Sequence, residues 1–275
     1  MDAGGPNMSF TEVMADGGAA PSRDVDAPFA QSSIQLLSLD FDTRSPAEVL
    51  RLIAARPADA PFAYVVTPNA DHLVRLSRDP ATYRPLYEGA WLCLLDSRVV
   101  RRLARLLGLA APPVVTGSDL TAALVRDAAA AGEWVTILGL TRVEAQELAV
   151  RTRLCFMHHD PRIGFENHPD SFEQALRFVE GNPARLVFLA VGSPRQEMVA
   201  RALAARGIAV GTGLCVGASL EFLAGTEWRA PLLVQKAGLE WAWRLTQNPQ
   251  RLWRRYLVDD PAILRLLWRE ARGRR

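Results

Sequence analysis

Short apolar segments alternate with amphipathic segments along most of this chain, and this alternation restricts the fold more than any other feature. The apolar segments are about five or six residues long, which suits strands better than helices. The segments between them carry apolar residues at helical spacing. Strands that are apolar on both faces are typical of a parallel sheet covered by helices on each side. The sequence therefore predicts an α/β fold with a mostly parallel sheet.

The same pattern gives the bounds of the predicted elements. Predicted strands span residues 34–39, 62–67, 91–95, 134–139, 153–157, 186–191 and 208–212. Predicted helices span residues 46–56, 69–78, 97–107, 118–131, 142–152, 171–180 and 195–206. Ligands of open parallel sheets bind beyond the carboxyl ends of the strands. Polar residues that directly follow a strand are therefore the first candidates for a functional site.

The two ends of the chain differ from this central part. Residues 1–33 are rich in Gly, Ala, Asp, Pro and Ser without sustained periodicity, which predicts a disordered tail. After Gly225 the strand pattern stops, and Pro249 and Pro261 divide a helical stretch into about three helices. We expect a tail over 1–33, an α/β core over 34–225 and a helical appendage over 226–275.

The predicted appendage holds most of the tryptophan and an excess of positive charge. The whole chain has a net charge of +2, but residues 228–275 contain eleven Lys or Arg against four Asp or Glu. Five of the seven tryptophans also lie there. Aromatic rings on one helical face and arginines on the other are typical of helices in an anionic lipid interface. An ordinary packed helix with a solvated basic face is the alternative.

The sequence lacks the signatures of several classes of protein. No apolar run approaches the ~18 residues of a spanning helix, and no signal peptide is recognisable. Three widely separated cysteines fit a reducing cytosol. Walker and GxGxxG loops are missing, and the pair His158-His159 has no further ligand at metal-binding spacing, so neither metal nor cofactor is expected. Nothing resembles a nucleic-acid recognition module.

Two motifs follow predicted strands in the first half of the chain. In TPNADH, Thr67 is predicted to cap the next helix, with Pro68 at its first position. In LLDS, Asp96 leaves an apolar strand and enters a helix. It is either a plain helix cap or a general base in a partly desolvated cleft.

Two further motifs follow strands in the second half. VTGSDL, residues 115–120, has Gly-Ser-Asp before an apolar helix, a start whose N–H groups suit an anion. In VGSPRQE, Ser193 and Gln196 have the spacing of a capping box. Each motif alone is explained by a helix start, but four at one sheet edge favour a pocket.

These motifs together resemble a known family. TPNADH, VTGSDL, GSPRQE, FLAGTEWRAP and GLEWAWRLTQNPQRLWRRYL, in this order and over about residues 34–258, are similar to the WecG/TagA/CpsF family of bacterial glycosyltransferases. The resemblance implies a Rossmann-like core and a C-terminal appendage that contacts the membrane and completes the active site. It implies transfer from a UDP-sugar to a polyprenyl-diphosphate-linked saccharide at the inner leaflet, with inversion and without a metal ion, in the synthesis of cell-surface polysaccharide. The oligomeric state stays open.

The resemblance also assigns roles to single residues. Asp96 would be the base that deprotonates the acceptor hydroxyl, with Thr67 and Asn69 beside it and Gln196 in contact with sugar or acceptor. Four further positions would belong to the substrate and UDP site: Gly139, Ser118, Gly192 and Gly217. Three appendage arginines would hold the diphosphate and stabilise the departing charge: Arg244, Arg251 and Arg254.

The chain departs from the family pattern at three positions. Ser97, followed by Arg98, replaces the usual Gly after the catalytic Asp, and Glu221 replaces an expected Asp. Val114 replaces an Arg, which removes a positive charge. Either Arg98 or Arg101 supplies that charge, or donor choice has shifted, or activity is weak. A weakly active or inactive membrane-peripheral subunit of a polysaccharide assembly complex is therefore the alternative function.

Overall fold

The computed structural model describes residues 33–231, 233–234, 239–254 and 260–274. Residues 1–32, which make up nearly all of the predicted disordered tail, lie outside the described residues. The described strands are β1 (Ser33–Leu36), β2 (Leu39–Asp42), β3 (Ala63–Val66), β4 (Leu92–Cys93), β5 (Trp134–Gly139), β6 (Cys155–His159), β7 (Leu186–Ala190) and β8 (Thr212–Cys215).

Helices connect these strands. In the described part of the chain they are α1 (Pro46–Ala54), α2 (Ala70–Arg78), α3 (Pro80–Glu88), α4 (Arg98–Leu106), α5 (Gly117–Ala130), α6 (Arg142–Thr152), α7 (Pro169–Gly181), α8 (Arg195–Arg206), α9 (Ser219–Ala224), α10 (Glu240–Gln247), α11 (Pro249–Arg254) and α12 (Ala262–Gly273). A short 3-10 helix, Phe165–Asn167, precedes α7.

The main sheet has helices on both faces. Among the described residues it contains six parallel strands in the order β4-β3-β8-β7-β5-β6. Successive side chains of a strand enter opposite layers, so that Val66 packs with α2, α8 and α12 while Val65 packs with α1, α5 and α6. The side chains of the four central strands β3, β8, β7 and β5 are mostly buried on both faces, which explains why these strands are mostly apolar. The predicted α/β class is confirmed.

The first predicted strand, residues 34–39, is wrong. This segment forms an antiparallel hairpin of β1 and β2, outside the main sheet. Leu37 and Ser38 make the turn with φ of 51° and 65°, values in the left-handed region that non-glycine residues seldom adopt. The turn has no Asn-Gly or Asp-Gly pair, the usual signal of a tight hairpin, and it was therefore not predicted.

Other elements also differ from the predictions. The last strand is predicted at 208–212 but spans Thr212–Cys215, and helix α9 was not predicted. A Cβ at Gly213 would lie 2.3 Å from the Phe62 ring, so the strand needs glycine there to admit that ring. Helix α3 was missed because Pro80 and Pro85 suggest a loop.

The C-terminal segment forms the expected series of helices, and α12 packs tightly on the core. Ile263, Leu267 and Ala271 are buried in the same layer as Leu36 and Phe41 of the hairpin. Leu267 lies on the apolar face of a basic helix, a pattern that fits either a lipid interface or protein packing, and it is fully buried. In the described ranges no helix is both long enough and apolar enough to cross a bilayer.

Candidate functional site

A cavity of about 1020 Å³ lies at the carboxyl edge of the parallel sheet. Its wall includes eight residues that the sequence assigned to a site: Thr67, Asn69, Asp96, Ser118, Gly139, Gly192, Gln196 and Gly217. These residues follow five different strands or begin the helices after them. The edge of the sheet therefore brings the four motifs together, as the parallel topology requires.

The centre of the cavity, which we call the cavity floor, consists of Thr67, Asp96 and Ser219 around Gly117. A Cβ at Gly117 would lie 3.0 Å from Thr67 Oγ1 and 3.6 Å from Asp96 Oδ2. It would also lie 3.7 Å from Ser219 Oγ. Two hydroxyls and one carboxylate thus converge over a residue that has no side chain to fill the space between them.

Backbone hydrogen bonds between neighbouring segments fix the cavity floor. The N–H of Asp96 donates to the carbonyl of Pro68 at 3.0 Å, which joins the ends of β3 and β4. The N–H of Val115 donates to the carbonyl of Leu95 at 3.1 Å and brings the start of α5 beside Asp96. The position of the half-buried Asp96 carboxylate is therefore set by main-chain contacts on both sides.

Two predicted helix caps are wrong. Asn69, and not Thr67, caps α2, because its side chain accepts from the N–H groups of Asp71 and His72. Ser97, and not Asp96, caps α4, because its Oγ accepts from Val100 N at 3.2 Å. Asp96 is thereby excluded from the cap role, and its carboxylate faces the cavity instead.

The predicted capping box of Ser193 and Gln196 is also wrong. Gln196 is 3% exposed, and its Oε1 accepts from the N–H of Gly217 at 2.9 Å while its Nε2 donates to Glu197 Oε1 at 2.8 Å. Ser193 Oγ accepts from Arg75 at 3.1 Å. The amide of Gln196 therefore holds the loop after β8 in place.

Glu197 is fully buried behind this amide. Burial raises the pKa of its carboxyl above the ordinary 4.5, although the hydrogen bond from Gln196 acts in the opposite direction. The Glu197 carboxyl accepts from Gln196 Nε2 and thereby orients the Gln196 amide.

The start of α5 matches the helix start predicted from VTGSDL. Thr116 caps the helix and also donates to Asp119 Oδ2 at 2.6 Å. Asp119 pairs with Arg229 at 2.6 Å, across 110 residues of sequence. Burial raises the pKa of Asp119, but the hydrogen bonds from Thr116 and Arg229 outweigh it, so the net pKa lies below 3.8. This ion pair joins the first residues of the C-terminal segment to the first turn of α5, next to the cavity floor.

The charged residues of the cavity include several that the sequence did not assign to the site. Its wall carries the arginines Arg98, Arg162 and Arg195 and, besides Asp96, the carboxylates Glu144, Asp160, Glu221, Glu240 and Asp260. Arg195 belongs to the GSPRQE motif, where its position at the start of α8 was a usable signal. Arg162 and Asp160 lie in the irregular segment after β6 and had no such signal.

One side of the cavity comes from the C-terminal segment, and we call it the C-terminal wall. It consists of Glu240 and Trp241 of α10 and residues 260–264 at the start of α12. Arg254 is exposed on α11 and is not among the described residues that line the cavity. The side chains of Arg244 and Arg251 lie outside the described residues, so their role stays a prediction.

The departures from the family pattern have local explanations. Ser97 caps α4 with its hydroxyl, a contact that Gly cannot make. Val114 forms a bridge with Leu95, next to Asp96, and is partly buried against apolar residues. Arg98 lines the cavity, whereas the described lining does not include Arg101. Arg98 is therefore the better placed of the two to supply positive charge.

The pair His158 and His159 ends β6 at the same edge of the sheet. His158 Nε2 lies 2.9 Å from the carbonyl of Gly139, which ties β6 to the end of β5. Within the described ranges, no three His, Cys, Asp or Glu residues are grouped so as to hold a metal ion.

The family relationship follows from two comparisons. The chain is 29% identical over 215 residues to an N-acetylglucosaminyldiphosphoundecaprenol N-acetyl-beta-D-mannosaminyltransferase of Bacillus spizizenii. The aligned residues make up 76% of this chain and 80% of that protein. The model of the glycosyl transferase WecG/TagA/CpsF family matches residues 34–275. The match includes the strand-end motifs, the cavity floor and the C-terminal wall, and the chain belongs to the WecG/TagA/CpsF family of glycosyltransferases.

Proposed function

We propose that the protein transfers a hexose from a UDP-sugar to a saccharide carried on a polyprenyl diphosphate, with inversion at the anomeric carbon. The relative from Bacillus spizizenii is named for transfer to a diphosphoundecaprenol-linked sugar, which supports this acceptor class. The observation that carries the mechanism is the Asp96 carboxylate, fixed at the cavity floor between the starts of α4 and α5.

Asp96 is the general base of this proposal. An acceptor hydroxyl above the cavity floor gives its proton to the carboxylate as its oxygen attacks the anomeric carbon. The bond from that carbon to the UDP oxygen breaks, and its electron pair leaves with UDP. A single displacement of this kind inverts the anomeric centre. Thr67 and Ser219 are close enough to orient the hydroxyl, because both side chains flank the same open space as Asp96.

The donor diphosphate is proposed to lie toward the starts of α5 and α8. Ser118 at the start of α5 and Arg195 at the start of α8 both line the cavity, and helix N-termini favour anions. Gly217, with φ of 53°, has open space where a side chain would be, and Gln196 fixes its N–H. Arg98, which lines the cavity, would stabilise the charge on departing UDP. The appendage arginines Arg244 and Arg251, whose side chains lie outside the described residues, keep the same role as a prediction.

The site is proposed to work at the inner face of the plasma membrane. Trp228, Trp253 and Trp268 are exposed by 75%, 51% and 45%, and they lie in the stretch with the excess of positive charge. Exposed indoles and arginines suit a surface of anionic headgroups.

A transfer assay tests the proposal directly. Purified protein is incubated with a panel of UDP-sugars, UDP-N-acetylmannosamine among them, and N-acetylglucosaminyl diphosphate on a prenyl chain. We expect one UDP-sugar to give a disaccharide with an inverted anomeric centre, at the same rate with and without EDTA. A rate that collapses with EDTA would contradict the metal-free mechanism, and absence of UDP binding in calorimetry would favour the inactive-subunit alternative.

A further inference from the structure

A second, smaller opening adjoins the catalytic cavity, and we call it the apolar groove. It lies between α4 and α12, has a volume of about 470 Å³, and is lined by Leu103, Leu106, Leu107, Leu264, Arg265 and Trp268. Leu106 is 81% exposed, Leu264 49% and Trp268 45%. Adjacent exposed leucine and tryptophan side chains are uncommon on a surface that faces only water.

The apolar groove is continuous with the catalytic cavity. Leu103 and Leu264 line both openings. The first residues of α4 and α12 line the cavity, and the later turns of the same helices line the groove. From Leu264 to Trp268 the groove runs along one helical turn, roughly 6 Å. An apolar path therefore leads from the cavity wall at Leu103 and Leu264 to the outer surface.

Positive charge surrounds this path. Helix α4, RVVRRLARL, has four arginines and no acidic residue. Arg101 Nε is buried without a hydrogen-bond partner, and burial together with the Arg105 charge lowers the pKa of Arg101. On α12, the Arg272 guanidinium stacks 3.7 Å from the Trp268 ring, which directs another charge to the rim. The surroundings suit an apolar chain attached to an anionic head.

We infer that the apolar groove binds the first isoprene units of the acceptor's prenyl chain. The inference rests on the proposed function, since the prenyl chain belongs to that acceptor. The sugar and diphosphate occupy the cavity, and the chain leaves between α4 and α12 toward the bilayer. Arg98 lies on the cavity side, beside the diphosphate end of the chain, and Arg265 lines the groove.

The continuity of the groove with the cavity favours a prenyl chain over a plain contact with the bilayer. A bilayer surface needs only exposed side chains such as Leu106, and it does not enter a cavity. An acceptor attached to a lipid needs an apolar path from its diphosphate to the membrane. Leu103 and Leu264 provide the inner part of that path.

The test compares two soluble acceptors, N-acetylglucosaminyl diphosphate with a farnesyl chain and the same head with a methyl group. We expect the wild-type KM to be about tenfold lower for the farnesyl acceptor, a gain of about 1.4 kcal/mol. The double variant Leu106→Gln/Trp268→Gln should lose this preference and keep its kcat, because both side chains lie outside the catalytic cavity. Val150→Gln on α6, a residue exposed by 78%, is the matched control and should behave as wild type.

Other outcomes overturn the inference. It fails if wild type shows no preference for farnesyl, or if the double variant keeps the preference. It also fails if the double variant raises KM equally for both acceptors. Loss of binding to anionic vesicles with the farnesyl preference intact would make the groove a bilayer contact.

Binding in the absence of turnover separates this inference from the proposed function. If wild type glycosylates neither acceptor, the proposed function fails. Calorimetry then compares geranylgeranyl diphosphate with inorganic diphosphate. Tighter binding of the prenyl compound, lost in the double variant, supports the groove on its own, and equal binding rejects it.

Discussion

The cavity floor and the C-terminal wall face the same space but are built in different ways. The floor follows the ends of neighbouring strands, and main-chain hydrogen bonds such as Asp96 N to Pro68 O set its geometry. The wall comes from helices joined to the core by side chains. In α10, Trp243 Nε1 and Gln247 Nε2 both donate to the carbonyl of Trp228, at 3.2 and 2.8 Å on an exposed surface.

This difference separates two requirements of a transferase. The reacting groups must be held closely, and a backbone-defined floor does so. The cover must admit a donor and an acceptor, which a wall held by exposed side-chain contacts allows. Within the wall, α12 is the exception, because its inner face is part of the core. The following predictions test this division, starting with the largest effect.

Asp96→Asn should have the largest effect, because it removes the base from the cavity floor. We expect turnover to fall about a thousandfold, within the usual range for loss of a general base. UDP binding, measured by calorimetry, should stay unchanged because the amide keeps the shape of the carboxylate. Asp160→Asn, at the periphery of the same cavity, is the control and should lose less than tenfold. Full turnover in Asp96→Asn would show that Asp96 is not the general base.

Leu267→Ala should reduce the free energy of unfolding by about 3 kcal/mol, because Leu267 is fully buried. Leu264→Ala in the same helix should cost only about 0.5 kcal/mol, since Leu264 is 49% exposed. Urea unfolding of both variants gives the comparison. Equal losses would mean that α12 is not part of the core, and truncation after Gly225 would then leave a stable domain.

Arg98→Ala should lower turnover about tenfold, or ~1.4 kcal/mol in the barrier, by weakening stabilisation of the departing diphosphate, because Arg98 lines the cavity. Arg98→Lys should recover part of the rate, since it restores the charge but not the two-pronged geometry. Arg126→Ala, on the exposed side of α5, serves as the control. Unchanged turnover in Arg98→Ala would mean that the departing charge is stabilised from the C-terminal segment instead.

Asp119→Asn should have the smallest effect, because it breaks a single ion pair. This is the pair with Arg229, which joins the first turn of α5 to the C-terminal segment. Asp119 and Arg229 are 54% and 26% exposed, so we expect a loss of only about 0.5 kcal/mol at neutral pH. The lowered pKa of Asp119 stabilises the fold above its unfolded value of 3.8, and this contribution disappears as pH falls through the lowered pKa.

A double-mutant cycle with Arg229→Gln isolates this ion pair. Denaturation midpoints at pH 7 and at successively lower pH should show coupling that declines as the pH falls below 3.8. Coupling that persists in acid would assign the effect to packing.

Sequence patterns located the sheet and most of the cavity because these depend on periodicity and on the strand ends. Asp96 was found in this way, whereas Gly217 was assigned by the family resemblance. The functions of Gln196 and Ser97 were not predictable, because a capping motif and a tertiary hydrogen bond use the same residue types. The burial of Leu267 was not predictable either, since apolar residues on a basic helix suit a protein core as well as a membrane.

The contact between the hairpin and α12 has a consequence for synthesis of the chain. Leu37 N donates to Glu270 Oε2 at 2.7 Å, and Arg274 donates to the carbonyl of Gln35 at 2.8 Å. These partners are 233 and 239 residues apart. At bacterial rates of about 5–20 residues per second, the nascent hairpin waits roughly ten to fifty seconds for its partner to be translated. During that interval the apolar side of Leu36 and Phe41 is a target for chaperones.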